Sequence, residues 1–146
     1  MTFDKLLHDT ECDCLERAIE DGKNLFARKI NKPNPLDKDF YSHWERGKRA
    51  DECKNICGYK GISVNKWDEN AKSAIIKKFL ITFSISPKHK DSIFVFRMIQ
   101  GAGLIEHTPN KNDATHHDFY KSDEFSLEML EKEGIILLLK DFIEHE

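Results

Sequence analysis

Between His107 and Tyr120 the chain places His107, His116, His117, Asp118 and Tyr120 within fourteen positions. Imidazoles and a carboxylate gathered on one surface can do two kinds of chemistry. They can bind zinc or a non-haem iron ion that keeps one position open for water. Without a metal, two imidazoles facing one bond can act as base and acid in phosphodiester cleavage, with a cation stabilising the charge that develops. Arg97, on the apolar run just upstream, is the nearest such cation, and Tyr120 offers a hydrogen bond. Strand parity limits the set. Neighbours on a strand face opposite sides, so only one of His116 and His117 can join His107, and Asp118 goes with His116. A purely structural role competes with both chemistries: Asp113, His116 and Asp118 can hydrogen-bond the backbone and fix a loop.

A second constellation is Cys12, Cys14, Cys53 and Cys57. Two closely spaced pairs of soft ligands suit tetrahedral zinc, which is the one cofactor the composition points to. A helix over residues 11–30 weakens that reading, because cysteines two apart then point to different sides. They share an ion only if the helix starts later. Cys53 and Cys57, four apart, share a face, but so do core thiols on a helix. A disulfide framework is not expected in a cytoplasmic chain.

These groups need elements to hold them. Thr10 can cap a helix in which Leu15, Ile19, Gly22 and Phe26 form a stripe, ended by Pro33 and Pro35. Further helices are predicted over 38–46, 50–57 (stopped by Gly58), 68–78 and 126–133, the last stopped by Gly134. Strands are predicted at 62–64, at 81–85 by alternation, at 93–99, at 104–107 and at 135–139. Helix is the alternative for 93–99 and for 135–142, since short apolar runs do not fix the period. The fold class expected is α+β, with a helical N-terminal part packed on a small, mostly antiparallel sheet formed by the C-terminal half.

The 146 residues suit one globular domain, 1–146, and ten phenylalanines argue against disorder. No apolar run reaches the roughly 18 residues a membrane span needs, so no membrane partner is expected. The start, Met1-Thr2-Phe3-Asp4-Lys5, lacks the pattern of a secretory signal, which makes cytoplasmic the expected location. Seven lysines between Lys60 and Lys90 face only Asp68 and Glu69. Nucleic acid could meet that stretch, but a formal net charge of −3 favours a solvated surface. Gly58-Tyr59-Lys60-Gly61 can present Lys60 to an anion, though it is not a phosphate-binding loop. Gly101-Ala102-Gly103 lacks the third glycine of a dinucleotide fingerprint.

No complete catalytic motif is present, so the expectation is a small binding or accessory protein. Its partner, a protein or small molecule, would meet the face around residues 107–120. The alternative is a histidine-dependent hydrolase or phosphodiester-cleaving enzyme, metal-assisted or not. An enzyme needs the histidine nitrogens to converge, whereas a binding module should expose a flat patch with Phe119 and Tyr120.

Overall fold

The computed structural model describes residues 1–83 and 90–138, and of 134–138 the backbone alone. One antiparallel sheet organises it. Its strands are β1 (Leu25–Ile30), β2 (Ile62–Trp67), β3 (Ser92–Met98), β4 (Gly103–His107), β5 (His116–Lys121) and β6 (Leu130–Leu138). They lie in the order β4-β5-β2-β1-β3-β6. The helices are short: α1 (Asp4–Leu7), α2 (Cys53–Lys60) and α3 (Lys72–Thr82). Among the described residues, no helix is long and apolar enough to cross a membrane.

The expected helical N-terminal part is overturned. Residues 25–30 form a central strand, paired with β3 over six register positions from Leu25↔Arg97 to Ile30↔Ser92. The N-terminal half therefore supplies two inner strands instead of a helical layer. Spacing misled here: Leu15, Ile19, Gly22 and Phe26 recur as on a helix. At Asp21, however, the carboxylate accepts from the Lys23 and Asn24 amides, both at 2.9 Å, and turns the chain before β1 begins. Residues 37–40 form a 3-10 turn in place of the helix over 38–46. Helix 126–133 shrinks to a 3-10 turn at Leu127–Met129, because β6 starts at Leu130 and pairs with Met98 of β3. The strand predicted at 81–85 is also corrected, since Ile81 and Thr82 end α3; Ile85 lies outside the described residues, as does the stretch 139–142.

β3 is apolar on both faces, and each face has its own core. Phe94 and Phe96 pack with Phe26, Phe40, Ile62 and Phe119 on one side. Ile93 and Val95 pack on the other with Ala27, Trp67 and the α3 residues Ile75, Ile76 and Phe79. Between β3 and β4 the chain reverses at Gly101, whose φ of 92° belongs to glycine. Gly103 then lets β4 close on β5: a Cβ there would sit 2.1 Å from the Tyr120 carbonyl oxygen.

Candidate functional site

β5 sorts the histidine segment by parity. His117, with Phe119 and Lys121, faces one side of the sheet; His116, Asp118 and Tyr120 face the other. His107 sits directly across from His117 in the β4–β5 register. Their rings stack 4.6 Å apart, and His117 also meets the Phe26 ring edge-on at 5.4 Å. Two of the three histidines thus come together, but they do so on the face away from His116. Each also has a ring nitrogen held by its own loop: His107 Nε2 donates to the Ala114 carbonyl and His117 Nδ1 to that of Thr115, both at 2.8 Å. Burial pushes the pKa of His117 down, against the hydrogen bond to Thr115, and the neighbouring His107 adds to the downward shift.

On the opposite face His116 is clamped from both ends. Its Nδ1 lies 3.1 Å from the Thr108 carbonyl and 2.8 Å from the Thr108 hydroxyl, and its Nε2 is 3.1 Å from the Ser63 hydroxyl. A carbonyl only accepts, so Nδ1 carries a proton and donates to Thr108. Asp118 is buried, which raises its pKa, while His116 opposes that shift. Tyr120 is buried too, and its hydroxyl donates to the Cys57 carbonyl at 3.2 Å, pegging β5 to α2. Burial pushes the Tyr120 pKa up, with the charges of Asp118 and Glu106 adding to it, so the phenol stays protonated and holds its hydrogen bond to Cys57. Phe119 is sealed in the core as well, so the flat patch expected of Phe119 and Tyr120 does not exist. Arg97 stands apart. It pairs with Glu133, and β3 is three strand spacings from β5, about 14 Å at the usual sheet spacing.

What lies next to His116 is a cleft of about 440 Å³ that the sequence did not announce. It opens where β1 and β2 part. Their pairing stops at Ala27↔Asn65, after which β1 follows β3 and β2 follows β5. Arg28 fills the gap left in the ladder. Its Nε donates to the Asp39 carbonyl at 2.6 Å and its Nη1 to the Ser63 carbonyl at 2.7 Å. Nη2 has no protein partner among the described residues and is not sealed from solvent, and Arg28 is part of the cleft lining. Burial lowers the Arg28 pKa to about 10, with the Arg46 charge adding to the shift, yet the group stays protonated at neutral pH.

Arg46 shares the cleft and, among the described residues, engages only through Nη2, on the Lys38 carbonyl. His43 lines it as well; burial lowers its pKa, and the cations Lys48, Arg28 and Arg46 lower it further. Lys78 reaches in from α3 and pairs with Asp113, which also accepts from the Asn65 amide at 2.9 Å. Burial alone would raise the Asp113 pKa, but the Lys78 and Asn65 contacts hold it below the usual carboxylate range. Asp113 does the loop-fixing work foreseen for it, and its Oδ1 accepts from the Thr115 amide. Lys60, by contrast, is not presented to an outside anion. Its side chain is 2% exposed, paired with the chain's own Asp9 under the Trp44 ring. Lys60 and Lys78 are therefore each engaged by a carboxylate of the chain itself.

The cysteines pair across two elements, Cys12 with Cys53 and Cys14 with Cys57. This corrects the expectation that a disulfide framework is absent, and in this state no thiolate is left to hold zinc. Among the described residues, no group of three or more His, Cys, Asp or Glu side chains is arranged to hold a metal ion. Sequence reasoning missed Arg28 and Lys78, whereas His43-Trp44-Glu45-Arg46 has the composition of a site lip and was discounted because Trp44 reads as a core anchor and Glu45 and Arg46 as a wet face. For Arg28 the local signal was Arg28-Lys29 inside an apolar run, hidden by the helix drawn over it. Family models, curated proteins and solved structures contain no match to the chain.

Proposed function

We propose that this is a binding protein whose ligand carries an oxyanion (phosphate, sulfate or carboxylate) seated in the β1–β2 cleft. One observation carries the reading: the Arg28 guanidinium, part of the cleft lining, is held by two main-chain carbonyls and keeps an Nη2 with no protein partner among the described residues. A planar fork fixed in this way is preorganised for bidentate contact with an oxyanion. The cost of burying its charge is offset when an anion arrives. Arg46 supplies a second fork, and the cleft rim at His116 belongs to the 107–120 face expected to be functional.

The hydrolase alternative is weaker. His107 and His117 face away from His116, and both nitrogens of His116 are engaged by Thr108 and Ser63. The disulfides support a compartment that keeps cysteines oxidised in place of the cytoplasm expected earlier. Calorimetric titration with inorganic pyrophosphate, sulfate and acetate tests the binding reading. The wild-type chain should bind at least one of them, and Arg28→Met should weaken that binding by about tenfold or more, the value of a lost charge-assisted hydrogen bond. Equal binding by both chains, or none by wild type, removes the cleft from consideration.

A further inference from the structure

The four cysteines lie where sequence reasoning doubted they could meet. The objection was helical: over residues 11–30, Cys12 and Cys14 would have pointed apart. No helix forms there. Residues 11–13 have no regular structure, 14–17 turn, and both cysteines reach the same short helix. On α2, Cys53 and Cys57 are four apart and share one face. The Cα separations across the pairs are 5.5 and 5.2 Å. The pairs stand one helical turn apart, about 6 Å. The two disulfides therefore sit side by side along one face of α2.

These cross-links also carry the attachment of both elements. Among the eight residues of α2 only Lys60 is buried, so apolar packing does little to hold it. A helix that short does not persist alone in water. The segment around Cys12 likewise has no strand or helix of its own. Besides the disulfides, α2 is tied down by the Tyr120 hydroxyl on the Cys57 carbonyl, the Trp44 amide on the Tyr59 carbonyl and the Lys60–Asp9 pair. The cross-links add to these few polar ties.

We propose that the reduced protein binds one zinc ion through Cys12, Cys14, Cys53 and Cys57, and that zinc and the two disulfides are alternative fasteners of α2. Two equivalents of a dithiol reductant convert the two disulfides to four thiols and are themselves oxidised to two disulfides. Zinc then binds as the four thiols give up four protons, leaving a tetrathiolate with zinc–sulfur distances of about 2.3 Å. Cys53 opens the helix, where the N-terminal dipole favours its thiolate, and Arg17 and Lys54 line the same cavity.

Cobalt titration of the full chain tests this. After reduction and removal of the reductant, wild type should take up one cobalt per chain, with sulfur-to-metal charge transfer and the strong visible bands of a tetrahedral site. Zinc should bleach those bands and raise the melting temperature of the reduced protein. The oxidised protein should take up none at this site. Cys53→Ser/Cys57→Ser, checked for an intact sheet by circular dichroism, should lose the bands entirely. Failure of reduced wild type to bind cobalt, binding without charge transfer, or undiminished binding by the double variant overturns the proposal.

Discussion

The β4–β5 hairpin and the β1–β2 cleft meet at His116, yet they differ in what their side chains still have to give. On the hairpin, His107 and His117 donate to their own loop and Tyr120 donates to Cys57. In the cleft, Arg28 and Arg46 are anchored by main-chain carbonyls and keep further N–H groups directed at solvent. The hairpin is dense in chemically capable residues along the chain. The cleft draws its residues from five separate stretches. A site is made by donors the fold leaves unspent, and density along the chain does not measure that.

The contrast can be broken most severely at the hairpin. Gly103→Val should destabilise by about 3 kcal/mol or more, because overpacking against the Tyr120 main chain has no space to relax into. Urea denaturation reads it, and a loss under about 1 kcal/mol would mean the β4–β5 register is wrong. Lys78→Met comes next, at about 1–3 kcal/mol, since it leaves the buried Asp113 carboxylate without its cation. That variant carries a pH signature. Asp113 has a depressed pKa in the fold, so its stabilisation is present above the unfolded carboxylate value of about 3.9 and is lost as pH falls toward the folded value. In Lys78→Met the acid-side loss should shrink; an unchanged profile would remove the ion pair from the account.

Arg46→Ala sharpens the cleft side. It should leave stability within about 0.5 kcal/mol, as an exposed side chain, while weakening oxyanion binding about tenfold. Binding unchanged within twofold would leave Arg28 to act alone. The smallest effect belongs to His107→Ala. His117 has a lowered pKa in the fold, so stability should decline as pH drops below the unperturbed histidine value of about 6.5. Removing the stacked ring takes away one opposing charge and should soften that decline in melting temperature without touching anion binding. A change in anion binding would tie the hairpin to the cleft after all.

Some of this was readable beforehand. The alternation on β5 already separated His116 from His117, and β3 announced burial on both faces through Ile93 to Met98. Lys60 was misjudged because a lysine between glycines looks exposed, while Trp44 and Asp9, far away in the chain, bury it. β1 was misjudged because apolar spacing near four fits a helix, and the strand identity of Leu25–Ile30 comes from partners in β2 and β3.

What the amino-acid sequence determined by itself is local: side-chain parity along a strand, the turn at Gly101, and which residues are able to donate or accept protons. Only the tertiary structure decided which of those groups keep that capacity, because hydrogen-bond partners and burial are supplied by segments distant in the chain. Arg28 shows the division. Its charge is written in the sequence, but its role exists only because β1 and β2 stop pairing at Ala27 and Asn65 and leave two carbonyls for it to grip.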